Sequence, residues 1–108
     1  MKTMIKRMSM HYDNYRFTKE HPGFRGVPKR LSADAFGHTS YRLYYTQGTL
    51  FANLIADFMK ELNLLKNGIT ICEWGCGPAR VIRHFPSILS EYEPQLYGTD
   101  YNLSLIHI

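Results

Sequence analysis

Between Ile69 and Asp100 the hydrophobic period of the chain switches from strand to helix and back, and that order constrains the fold more than any other feature. Ile69-Thr70-Ile71-Cys72 is short, β-branched and apolar, the pattern of a buried strand. It runs into Glu73-Trp74-Gly75-Cys76-Gly77-Pro78. Gly75 and Gly77 allow a sharp turn there, and Pro78 suits the first position of a helix, where its missing N–H has no partner to lose. Val81, Ile82, Phe85, Ile88 and Leu89 follow at helical spacing, predicting a helix over residues 79–89 that Pro86 shortens or kinks. Glu91-Tyr92-Glu93-Pro94 is a polar connection, and Gln95-Leu96-Tyr97-Gly98-Thr99-Asp100 reads as a second strand ending in an acid. Strand, glycine turn, helix and strand make a βαβ unit, which builds parallel sheet with a right-handed crossover. The predicted fold class is α/β.

Upstream of this unit, the pattern predicts a helix over residues 49–66. Leu50, Phe51, Leu54, Ile55, Phe58, Leu62 and Leu65 form one apolar stripe, expected to be buried, and Asn67-Gly68 supplies the left-handed conformation that ends a helix. Tyr41, Tyr44 and Tyr45 share a helical face and read as core packing. Further back, His21-Pro22-Gly23 and Gly26-Val27-Pro28 forbid a continuous helix. Residues 1–30 carry eight Lys/Arg against Asp13 and Glu20, a net +6, whereas the whole chain is +4. A basic arm of this kind can hold nucleic acid or an anionic surface through phosphate contacts, but its cations are scattered. It is read as a solvated, partly disordered leader without assigned function. The predicted plan is this arm at 1–30, a helical segment at 31–66, the start of a ligand-binding domain at 67–102, and a tail at 103–108.

Composition narrows the class further. A chain of 108 residues is one small domain, and 44% hydrophobic with 20% charged residues is too apolar for wholesale disorder. Two cysteines cannot staple a secreted mini-protein, and no apolar run approaches the roughly 18 residues of a membrane span. The basic start lacks the apolar stretch of a secretory signal. A cytoplasmic protein with no membrane partner is expected. Cys72 and Cys76 lack further ligands for a zinc site and read as small buried or turn residues, and His84 reads as a surface or packing residue.

The chemistry lies in the turn. Glycines between a strand and a helix let backbone N–H groups approach a ligand closely. An acid ending the next strand lies beside that turn and can accept hydrogen bonds from both ribose hydroxyls. Asp100 follows Gly77 by 23 residues, near the spacing of about 20 seen in nucleoside-binding folds. A dinucleotide turn has the frame G-x-G-x-x-G, but Arg80 stands where the third glycine belongs. Glu73, just before the first glycine, would repel a pyrophosphate yet suits the ammonium of an amino-acid-bearing nucleoside. The pattern therefore favours S-adenosyl-L-methionine over NAD.

Ile71-Cys72-Glu73-Trp74-Gly75-Cys76-Gly77-Pro78-Ala79-Arg80 resembles the first motif, E/D-x-G-x-G-x-G, of class I S-adenosylmethionine-dependent methyltransferases. Leu96-Tyr97-Gly98-Thr99-Asp100-Tyr101-Asn102 resembles their second motif, and the likeness spans about residues 49–102. Ala79 replaces the third glycine, a change expected to affect helix–strand packing more than binding. The resemblance implies a Rossmann-like cofactor-binding fold, truncated here. It implies that Glu73 reaches the methionine end, that backbone at Trp74, Gly75, Cys76 and Gly77 lines the carboxylate and sugar, that Asp100 takes the ribose hydroxyls and that Tyr101 lies against the adenine. Trp74 could equally pack under the turn. The implied reaction moves a methyl group from a sulfonium to an acceptor, with a small molecule favoured and nucleic acid open. Catalytic residues and oligomeric state are not legible.

The family's sheet continues well beyond two strands, so the chain is expected to be an N-terminal fragment, inactive alone. Leu103-Ser104-Leu105-Ile106-His107-Ile108 matches the in-frame translation of a transposase-end sequencing adapter and is expected to be read-through. Two other classes fit less well: a non-catalytic nucleoside-binding or interaction module with a basic arm, and an NAD(P)-dependent oxidoreductase fragment, which Arg80 disfavours.

Overall fold

Pro22, Gly23, Gly26 and Pro28 do break the N-terminal third, but they separate two helices rather than dissolve them. A computed structural model of the chain describes residues 2–100. The elements run α1 (Lys2–Glu20), α2 (Lys29–Phe36), α3 (Tyr41–Glu61), β1 (Thr70–Trp74), a 3-10 turn (Ile82–His84), α4 (Phe85–Ile88), a second 3-10 turn (Ser90–Tyr92) and β2 (Gln95–Thr99). The chain divides into two compact units, Met1–Tyr45 and Thr46–Ile108. The boundary falls inside α3, not at the composition shifts near residues 30 and 66.

The stretch read as a partly disordered arm therefore contains a 19-residue helix. Tertiary contacts hold it. Phe17 is 1% exposed, with its ring stacked on His21 at 4.3 Å and edge-on to Phe24 at 4.9 Å. Asn14 is buried and both ends of its amide are used: Nδ2 donates to the Thr39 carbonyl at 2.9 Å, and Oδ1 accepts the Tyr41 N–H at 2.9 Å. Ser40 starts α3 as its N-cap, its Oγ accepting the Leu43 N–H at 3.1 Å. Tyr44, 1% exposed, sits against Phe24 and Phe36. Of the tyrosine face, Tyr44 is core, while Tyr41 and Tyr45 are half-buried against neighbouring rings.

α3 differs from the predicted 49–66 helix at both ends and in the face it buries. It begins at Tyr41 because of the Ser40 cap. It closes at Asn63, not Gly68: Asn63 lies at φ 55°, its N–H reaches the Lys60 carbonyl, and the Leu64 N–H reaches Met59. Those two bonds are the Schellman pattern. The expected apolar stripe is not buried: Leu50, Phe51, Leu54, Ile55, Phe58 and Leu62 are all exposed, Phe58 at 60%. The buried row is Gly48, Ala52 and Ala56, four residues apart. Ala52 and Ala56 join Cys76, Ile82, Phe85 and Leu89 in the core of the second unit, with Leu65, Ile71, Val81, Ile88 and Leu96 against it. Gly48 shows the reason, since a Cβ there would run into the Arg80 carbonyl. The backbone comes so close that large side chains cannot lie between.

β1 and β2 pair in parallel, with Thr70 opposite Gln95 and Trp74 opposite Thr99. The class is thus mixed helix and parallel strand. The predicted 79–89 helix is replaced by a turn over residues 77–81, the 3-10 turn and the four-residue α4. Pro86 stands in the first turn of α4, so it starts a helix instead of kinking one. No helix among the described residues is long and apolar enough to cross a membrane.

Candidate functional site

β1 delivers Glu73 and Trp74 to the sheet's C-terminal edge, and β2 delivers Thr99 and Asp100 to the same edge. The turn between β1 and α4 lies across them. Gly75 and Gly77 have φ of 65° and 52°, the left-handed region that glycine enters freely. A Cβ on either would meet nothing within 4 Å among the described residues, leaving open space over the turn. Two hydrogen bonds fasten the turn to the second strand. The Cys76 N–H donates to the Thr99 carbonyl at 2.9 Å, and the Gly77 N–H donates to Asp100 Oδ2 at 2.8 Å. The glycine turn and the strand-end acid, 23 residues apart, meet in one place.

Ala79 stands at φ 61°. That gives the third small position of the motif a backbone reason, because glycine there would carry no Cβ into a left-handed conformation, whereas alanine does. Ala79 also packs against the core of the second unit, so the expected packing role stands beside the backbone strain.

Glu73 is half-buried. The Ile82 N–H donates to its carboxylate, while Oε2 is buried with no hydrogen-bond partner among the described residues. Burial pushes the carboxyl above the ordinary glutamate value, against the Ile82 bond and the Arg80 charge, which lower it. An orphaned carboxylate oxygen is suited to a cationic ligand group. Thr99 Oγ1 is another buried oxygen without a hydrogen-bond partner among the described residues, and sequence reasoning missed it. Its signal was its place opposite Trp74, one residue before the acid. Trp74 is 89% exposed, so it does not pack under the turn. Cys76 is buried, its thiol raised first by burial and then by the Glu73 and Asp100 charges, and its Sγ donates to the Gly77 carbonyl at 3.5 Å. Arg80 donates to Gln47 Oε1 at 3.0 Å and lies over the Phe51 ring. His84 is buried and burial lowers its pKa, so it packs as a neutral ring. Tyr101 and the 103–108 tail lie outside the described residues.

These residues fit the ammonium and the hydroxyls of a nucleoside: an open glycine turn, an acid at its side, and a Glu73 oxygen without a hydrogen-bond partner among the described residues, while the Cys76 and Gly77 N–H groups are taken by Thr99 and Asp100. No protein-family model matches the chain, and neither a curated protein nor a solved structure matches it at a significant level.

Proposed function

We propose that the chain carries the S-adenosylmethionine-binding start of a class I methyltransferase, built on a Rossmann-like βαβ unit. One observation carries the reading: the Gly77 N–H on Asp100 Oδ2, which joins the glycine turn and the strand-end acid in one place. The parallel register of β1 and β2 supports it, because in open parallel sheets ligands lie beyond the carboxyl ends of the strands.

In this reading Asp100 holds the ribose hydroxyls, and the backbone of Trp74, Gly75, Cys76 and Gly77 lines the carboxylate and sugar. The unpaired oxygen of Glu73 faces the ammonium, directly or through water, and Tyr101 follows Asp100 as the adenine neighbour. When bound, the cofactor supplies an electrophilic methyl group on a sulfonium. The protein's part is to orient and to exclude water, since so strong an electrophile needs placement of the acceptor more than activation. A small-molecule acceptor is favoured.

Calorimetry with S-adenosylmethionine tests the site. Asp100→Ala is expected to weaken binding by ~1–3 kcal/mol, the cost of leaving the ribose hydroxyls unpaired. Gly75→Val is expected to abolish it, because a β-branched residue cannot hold φ 65° and would fill the ligand space. Unchanged affinity in both variants removes the turn from the site, and preference for NADH turns the reading towards an oxidoreductase.

A further inference from the structure

The cofactor reading uses none of the excess positive charge, which lies in the first unit. Thr3, Lys6, Arg7 and His11 recur at three- and four-residue spacing along α1; with Lys29 at the start of α2 and Thr39 in the α2–α3 loop they line an open cavity of about 440 Å³. Among the described residues the lining holds three permanent cations, an imidazole and two hydroxyls, and no carboxylate. The Lys29 ammonium lies 2.8 Å from His11 Nδ1 and 3.0 Å from its Nε2, against an imidazole instead of an acid. Two carboxylates described in this unit are engaged elsewhere: Asp13, which lines the adjoining groove beside Lys6, takes Arg42, and Glu20 takes Arg42 and Arg16. Like charges gathered around a concavity without a counter-charge raise its potential and draw in an anion.

We propose that this cavity binds a phosphate-bearing small molecule, with Lys6, Arg7 and Lys29 balancing the phosphate charge and the Thr3 and Thr39 hydroxyls as further donors. The volume falls in the range of small-ligand sites, enough for a phosphate and a sugar-sized group. A nucleic-acid backbone fits less well, because it needs a continuous cationic track. Farther along α1, Arg16 pairs with Glu20 and Lys19 lies over the Tyr15 ring, 5.3 Å from its centroid. This inference is independent of the cofactor turn, and the two can fail separately.

Calorimetric titration of the full chain with pyrophosphate and with ribose 5-phosphate is the test, with the circular-dichroism melt of each variant as a check on folding. Lys6→Glu/Lys29→Glu is expected to weaken both ligands at least about tenfold, and the milder Lys6→Gln/Lys29→Gln about threefold or more. The Gln pair decides if the Glu pair fails to fold. Lys19→Glu/Arg25→Glu makes the same change in net charge away from the cavity and is expected to leave binding within about twofold. Equal losses in the cavity and control pairs, or no binding by the parent chain, overturn the proposal. So does RNA binding that strengthens with oligonucleotide length and that pyrophosphate does not displace.

Discussion

In the unit Met1–Tyr45 the interior is dominated by rings, with Val27, Ser32, Ser40 and the Asn14 amide buried beside them: Phe17 among His21, Phe24 and Tyr45, Tyr44 against Phe24 and Phe36, and Asn14 bonded to Thr39 and Tyr41. In Thr46–Ile108 it is made of close backbone approach, with Ala52 and Ala56 beside Ile82, Phe85 and Leu89. The same helix serves both, offering tyrosines at one end and small residues at the other. Large side chains specify position by shape and polar pairing, and small ones by the absence of anything that keeps two backbones apart. The two units should therefore fail under opposite kinds of substitution, the first when atoms are removed and the second when they are added.

The largest expected effect is Gly48→Val, which forces a branched side chain against the Arg80 carbonyl and should cost about 2–3 kcal/mol or more in urea denaturation. Phe58→Ser, on the exposed stripe of the same helix, should move the midpoint by no more than ~0.5 kcal/mol. If the two exchange rank, α3 buries its large face after all. Next comes Asn14→Ala, which strands the Tyr41 N–H and the Thr39 carbonyl and should cost ~1–3 kcal/mol. A neutral result would mean that the rings alone hold the first unit.

Ala79→Gly should act in the other direction, adding roughly 0.5–1 kcal/mol by relieving a left-handed alanine, less the extra entropy of glycine in the unfolded chain. A loss of stability would place Ala79 in ordinary backbone. The smallest effects distinguish the units by pH. Hydrogen bonding to Arg42 holds Glu20 below its ordinary value, so its contribution is present above the unfolded pKa and is lost as pH falls through the lowered one. Burial holds Glu73 above, so its contribution is present below the unfolded pKa and is lost as pH rises through the raised one. Glu73→Gln should therefore be slightly more stable than the parent at neutral pH, with the gap closing in acid, while binding S-adenosylmethionine more weakly. Glu20→Gln should be the less stable at neutral pH, its deficit closing in acid. Parallel pH profiles for the two variants would contradict the assigned environments.

The exposed stripe of α3 shows where pattern reading stopped. Periodicity reports that a helix has an apolar face, but several rows can qualify, and Gly48, Ala52 and Ala56 compete as a flat surface that hydropathy hardly registers. The turn-rich path from Gly77 to Ile88 escaped for a related reason. Val81, Ile82, Phe85 and Leu89 recur at helical spacing, yet left-handed Ala79 and Pro86 break the backbone hydrogen bonding that one continuous helix needs. Similarly, α1 looked like a leader because its few buried residues, Asn14 and Phe17, find partners only beyond residue 20.

Local chemistry was enough to determine the two parallel strands, the left-handed glycines at 75 and 77, the acid that follows the second strand and the packing of Tyr44, because each depends on residues adjacent in sequence or on a short crossover. Which face of α3 is covered, where Glu73 leaves an oxygen unpaired, and how scattered basic residues gather around one cavity were decided only in the tertiary structure. Those outcomes depend on how near one backbone comes to another. Steric exclusion and desolvation set that distance through contacts far apart in the chain, and no window of sequence records it.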